Sequence, residues 1–120
     1  MASKLVVKVM VGANDPERCA QAFTVAVMAL TSGVAVSLWL TGEAAWLALP
    51  GKCEEFELPH SAPLAQLRDA ILASGTIILC TQCAVRRGIE SSAVISGITI
   101  AGAASFVEEI MADGVQALVY

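Results

Sequence analysis

Apolar residues fall along this chain in short blocks separated by small and polar ones, and the blocks alternate between two patterns. The run Lys4-Leu-Val-Val-Lys-Val-Met-Val11 is nearly continuous in apolar side chains, as a strand covered on both faces requires. Gly12-Ala13-Asn14 then turns the chain. Asn14 or Asp15 can cap a helix, with Pro16 just inside it and Glu17 beside its positive end. That helix runs to about Ser32. Between its first turn and its end the only polar residues are Gln21 and Thr24, so burial on more than one side is expected. Thr31-Ser32-Gly33 stops it, and Val34–Leu40 reads as a second buried strand ending at Thr41-Gly42.

Glu43–Leu49 predicts a short helix that Pro50-Gly51 ends. Cys53–His60 is polar and irregular, with a short strand expected at Glu55–Leu58. Ser61 offers a cap, Pro63 falls in the first turn, and Leu64, Leu67, Ile71 and Leu72 follow at helical spacing until Ser74-Gly75. Thr76–Cys80 is a third strand, Thr81–Arg87 a short helix stopped by Gly88, and Ile98–Ala101 a fourth strand. Ser105–Ala112 is the next helix and Val115–Tyr120 the fifth strand. Strands and helices in this alternation predict an α/β domain with a parallel sheet and right-handed crossovers. Such sheets take ligands outside the C-terminal strand ends. The turns there are Gly12–Asp15, Thr41–Glu43, Cys80–Cys83 and Ala101-Gly102. Gly12, Asn14, Thr41, Gly42, Thr81 and Gln82 are therefore candidate binding positions.

Composition narrows the class. The 120 residues suit one domain, 1–120, and are 57% hydrophobic and 15% charged; an average soluble domain has roughly 45–50% and 25%. The excess points to a membrane or to burial against further copies of the chain. Cys19–Gly42 carries no charge, but Gln21, Thr24, Ser37 and the Thr31-Ser32-Gly33 stop break it into helix, turn and strand, so no membrane span is expected. The opening run Leu5–Val11 is short and no small-residue cleavage site follows, so no signal peptide is expected. A net charge of −4, with no basic cluster beyond Arg86-Arg87, argues against direct nucleic-acid binding. With Cys19 on a helix and Cys80 closing a strand, the four cysteines read as reduced thiols in a cytoplasm.

Chemistry concentrates at Cys80. A thiol reacts as thiolate, and a strand-to-helix junction sets unpaired N–H groups beside that charge. Cys83, three residues on, falls on the same side, and Arg86 and Arg87 add positive charge nearby. A cysteine closing an apolar strand is ordinarily a small core residue; the Cys80-Thr-Gln-Cys83 pair at a junction also fits dithiol exchange, metal binding or persulfide transfer. Zinc needs four ligands, and although Cys53 and His60 could complete a set, no second close pair exists, so neither metal nor cofactor is expected. His60 otherwise reads as a loop residue beside Pro59, and Cys19 and Cys53 as structural. The single histidine and the lack of a glycine-rich phosphate loop leave hydrolase and nucleotide readings unsupported.

Ile78-Leu-Cys-Thr-Gln-Cys-Ala-Val-Arg-Arg-Gly-Ile89 resembles the active segment of DsrE/DsrF-like proteins: an apolar strand, a cysteine, a short helix, then Arg-Arg-Gly and a β-branched residue. Gly97-Ile-Thr-Ile-Ala-Gly102 and the closing Val115–Tyr120 are similar to the family's ending. The resemblance implies a flavodoxin-like three-layer α/β/α fold with a five-stranded, mainly parallel sheet. It implies assembly as a homotrimer, a homohexamer or a mixed assembly with a related subunit. It also implies Cys80 as the sulfur-accepting cysteine of a relay between donor and acceptor proteins. One departure stands at Cys83, where the relay subunit it resembles has alanine-like residues.

Three functions remain open on these residues. One is a cytoplasmic persulfide carrier or sulfurtransferase using Cys80, with Thr81–Cys83 amides steadying the anion and Arg86 or Arg87 aiding docking. The second is a dithiol redox protein using Cys80 and Cys83. The third is a non-enzymatic oligomeric scaffold or small-ligand binder with incidental thiols. The residues do not decide whether the chain is an enzyme.

Overall fold

A computed structural model describes residues 2–120, and its backbone follows the alternation of the sequence. Strand β1 (Lys4–Val9) leads through Asp15 into helix α1 (Pro16–Thr31), where the Asp15 carboxylate accepts the Arg18 N–H at 3.5 Å and Pro16 opens the first turn. After β2 (Ala35–Leu40) comes a 3-10 segment, Gly42–Ala48, then α2 (Lys52–Glu55) and α3 (Leu64–Ser74). β3 (Thr76–Cys80) runs directly into α4 (Thr81–Arg86). β4 (Thr99–Ala101), α5 (Ala103–Ile110) and β5 (Val115–Val119) close the chain.

The five strands lie in the order β4-β3-β2-β1-β5, and all four pairings are parallel. The first connections step outward from β1 to β4. α5 then returns the chain across the sheet to the far side of β1. Right-handed crossovers in opposite directions put their helices on opposite faces, and the side-chain alternation shows it. Val7, Val9, Leu38, Leu40, Ile77 and Leu79 share one face with Phe23 of α1 and Leu64 and Ile71 of α3. Each such fully buried side chain contributes about 1.5–3 kcal/mol.

The opposite face is thinner. Val6, Trp39 and Ile78 pack there against α5, through Phe106 and Ile110, with Ala101 and Val115 at the margins. The Trp39 and Phe106 rings stand edge to face at 5.3 Å. A polar clamp reinforces the contact. Glu109 accepts from Ser37 Oγ at 2.6 Å and from Trp39 Nε1 at 2.8 Å, and its carboxylate pairs with Lys4 Nζ at 2.6 Å. Val107 and Met111, towards the end of the chain, stay exposed with Met10 and Val119.

Some local expectations are corrected. Glu55–Leu58 forms no strand: Gly51, at φ +86°, starts the turn of α2 that buries Cys53, and that turn takes in Glu55. Ser61 does not cap α3; its hydroxyl donates to the Ala62 carbonyl, and Pro63 precedes the first helical residue. α5 starts at Ala103, directly after Gly102, two residues earlier than expected. α1 packs on β1, β2 and α3, yet Gln21, Thr24 and Met28 face outward.

Candidate functional site

β3 is an apolar strand whose pairing with β4 ends at Cys80 and Ala101, and α4 begins at the next residue. Cys80 thus occupies the cap position of α4, half-buried, with its sulfur on the side of the Cys83 and Gln82 amides. The resting thiol makes no capping bond of full geometry. Burial alone would raise its pKa; the Cys83 N–H and thiol, the Gln82 N–H and the Lys8 charge outweigh burial and hold it below the ordinary 9.0.

Cys19 and Cys53 behave oppositely. Burial, with smaller contributions from Cys53 and Asp15, pushes Cys19 up to about 12. Burial pushes Cys53 up to about 11 against the opposing pull of Arg68. Neither joins Cys80. Cys53 lies in α2 with its sulfur 3.7 Å from the Leu47 carbonyl, and His60 sits exposed at φ +59° in the loop before α3. Among the described residues, no group of three His, Cys, Asp or Glu side chains is placed to hold a metal.

Cys83, the third residue of α4, is only 9% exposed. Its sulfur accepts the Gly42 N–H at 3.2 Å, so the β2 turn reaches the thiol pair. Gly42 is required there. Its φ is +52°, and a Cβ would lie 2.6 Å from the Met10 carbonyl oxygen.

The remaining candidates divide into two groups. Thr81 and Gln82 stand exposed beside Cys80, and Arg86 is exposed on α4. Gly12, Asn14 and Thr41 make internal contacts. Asn14 Oδ1 accepts the Gly12 N–H at 2.9 Å, a Cβ on Gly12 would meet the Glu43 carbonyl at 2.8 Å, and Thr41 Oγ1 donates to the Val9 carbonyl at 3.1 Å. Arg87 is engaged internally, donating through Nε and Nη2 to Glu43 at 3.2 and 2.8 Å and through Nη1 to the Cys83 carbonyl at 3.2 Å. It ties α4 to the 3-10 segment. Asn14 also lines a cavity of about 420 Å³ with Glu43, Trp46, Lys52 and Phe56, which does not include Cys80.

Lys8 does not stand out in the sequence, because it sits inside an apolar run. The signal is present all the same. Strand alternation puts Lys4, Val6 and Lys8 on one face, and the register carries that face across Trp39 and Ile78 towards Cys80. Its ammonium rests 5.1 Å from the centre of the Phe106 ring.

The chain is thus an all-parallel α/β protein with a half-buried cysteine closing an inner strand. The chain belongs to the DsrE/DsrF-like family, whose profile matches residues 3–119. It is similar to the uncharacterized protein MJ0760 of Methanocaldococcus jannaschii, at 30% identity over 106 residues. That match takes in 88% of this chain but only 38% of MJ0760. Among solved structures it resembles the YchN protein from E. coli, with a TM-score of 0.79, 20% identity and full coverage of both chains. It also resembles MTH1491, a protein of unknown function from Methanobacterium thermoautotrophicum, with a TM-score of 0.66, 8% identity and 98% coverage of each chain. Identities this low establish a common fold. No helix among the described residues is long and apolar enough to cross a membrane.

Proposed function

We propose that this chain is a cytoplasmic sulfur carrier, one DsrE-like domain spanning 1–120, that holds a persulfide on Cys80. The observation that carries the reading is the contrast among thiols: Cys80 is half-buried and shifted down, while Cys19 and Cys53 are fully buried and shifted up. A sulfur donor protein presents R–S–SH. The Cys80 thiolate attacks the outer sulfur, the S–S bond of the donor breaks, and the donor leaves as thiolate. The product is a Cys80 persulfide, which an acceptor takes in the same way. The amides of Gln82 and Cys83 steady the anion, Thr81 and Arg86 lie on the docking surface, and Arg87 fixes α4 through Glu43.

Self-association belongs to the same reading, as a trimer, a hexamer or a mixed assembly with a related subunit. It is supported by the apolar excess of the sequence and by the large apolar side chains of Met10, Val107, Met111 and Val119 left exposed on one chain.

The test is to incubate the reduced protein with inorganic polysulfide and locate added sulfur by mass spectrometry in wild type and Cys80→Ser. Sulfur on Cys80 in wild type, and its loss in a variant with unchanged circular dichroism, are expected. Loading that survives Cys80→Ser would overturn the reading.

A further inference from the structure

The carrier mechanism uses Cys83 only as a hydrogen-bond donor to the Cys80 anion, although the fold holds a second free thiol beside the loaded position. We infer that Cys83 is a resolving thiol, which converts the Cys80 persulfide into a Cys80–Cys83 disulfide and releases its outer sulfur as sulfide. This deepens the proposed function and rests on it, because the substrate of the step is the Cys80 persulfide.

Three observations carry it. Both cysteines are free, and they stand at the cap and third positions of one helix. The Cys83 N–H and thiol both face the Cys80 sulfur across the first turn. Their exposures differ in the direction the sequence of events needs: a protein or polysulfide donor reaches half-buried Cys80, whereas Cys83 is reached from Cys80. Finally, the Gly42 N–H fixes the Cys83 sulfur from the side of the β2 turn. A disulfide needs the Cβ atoms at ~3.5–4.5 Å, so closure moves that sulfur towards Cys80 and releases the Gly42 donor.

The step balances. The Cys83 sulfur attacks the inner sulfur of Cys80–S–SH, the bond between Cys80 Sγ and the outer sulfur breaks, and the Cys83 proton leaves with that sulfur as hydrogen sulfide. The outer sulfur is reduced, and the two cysteine sulfurs are oxidised to a disulfide. A dithiol reductant then restores both thiols by exchange. The net activity is reduction of sulfane sulfur to sulfide at the expense of a dithiol.

The experiment loads reduced wild type and Cys83→Ser with polysulfide, desalts both, and follows sulfide release and mass over time without reductant. Wild type is expected to lose its persulfide, release up to one sulfide per loaded chain, and show a Cys80–Cys83 disulfide by peptide mapping. In Cys83→Ser, and in Cys83→Ala as a second variant, the persulfide should persist at least about tenfold longer, since attack by a neighbouring group is lost. Wild type that keeps its Cys80 persulfide as long as both variants, without a disulfide, overturns this inference and leaves the carrier reading standing. Absence of sulfur on Cys80 in wild type and in both Cys83 variants, with no disulfide and no sulfide from wild type, overturns both.

Discussion

Glu109→Ala removes a carboxylate that three donors on the sheet share, and its cost follows from the contacts. Trp39 is 3% exposed, and its indole N–H at 2.8 Å loses its acceptor. Ser37 Oγ, at 2.6 Å, loses another. Hydrogen bonds to a charged group contribute about 1.5–3 kcal/mol each. The Lys4 side chain is 35% exposed, so water rehydrates its ammonium and the ion pair adds only about 0.5 kcal/mol. A cavity of about 630 Å³ beside the cluster admits water that can replace part of the lost acceptor, so the lower end applies. The expected loss is about 3.5 kcal/mol, a large part of the ~5–15 kcal/mol of a whole domain. Glu109→Gln keeps one oxygen acceptor and should lose about half as much. Urea unfolding followed by tryptophan fluorescence, at one fixed protein concentration because assembly shifts the midpoint, reads both variants. A loss below about 1 kcal/mol in Glu109→Ala would refute the clamp, since it is less than one charged hydrogen bond. The acid limb provides a second check. Burial would raise the Glu109 carboxyl, but hydrogen bonds from Lys4, Ser37 and Trp39 hold it below 4.5. A depressed folded pKa gives stability that is present above the unfolded value and lost as pH falls through the folded one. Glu109→Gln should therefore lose less stability than wild type on acidification below pH 4.5.

Two further perturbations separate the thiols. Lys8→Met removes a positive charge that favours the Cys80 thiolate, so iodoacetamide labelling of Cys80 should slow at neutral pH and its pH profile move upward; an unchanged profile would remove Lys8 from the site. Cys19, pushed up to about 12, gives stability present below 9.0 and lost as pH rises towards 12. Cys19→Ala should accordingly show a shallower decline in urea midpoint above pH 9.0 than wild type, and equal slopes would refute the assignment.

Local signals make much of this molecule legible. Asp15-Pro16 marks the start of α1, and the Thr76–Cys80 run followed by a helical stretch marks the junction where Cys80 lies. What stays hidden depends on contacts between distant segments. Gly42 donates to a sulfur 41 residues away, and Arg87 reaches Glu43 across 44. No spacing rule exposes either. Ser61 misleads because a hydroxyl two residues before Pro63 matches a cap pattern, while the backbone there lets it reach only the Ala62 carbonyl. Lys8 is obscured because its long apolar stem belongs in the run that makes β1 a strand.

The thin face of the sheet explains why these features belong together. Among the described residues α5 is the helix that covers that face, so whatever holds α5 also sets what its inner side chains touch. Glu109 anchors one end on Lys4, Ser37 and Trp39, and Phe106, one turn earlier, packs edge to face on Trp39. The same ring carries the Lys8 ammonium on its face. Lys8 is the charge on β1 that favours the Cys80 thiolate. The chain of contacts therefore runs from a structural carboxylate, through one aromatic ring, to the cation that favours the Cys80 thiolate. A helix attached to a sheet by so small an apolar cluster would be a poor support for a charge without the Glu109 clamp. The polar cluster thus steadies the helix whose ring carries Lys8, and Cys80 lies half-buried where β3 pairs with the three-residue edge strand β4.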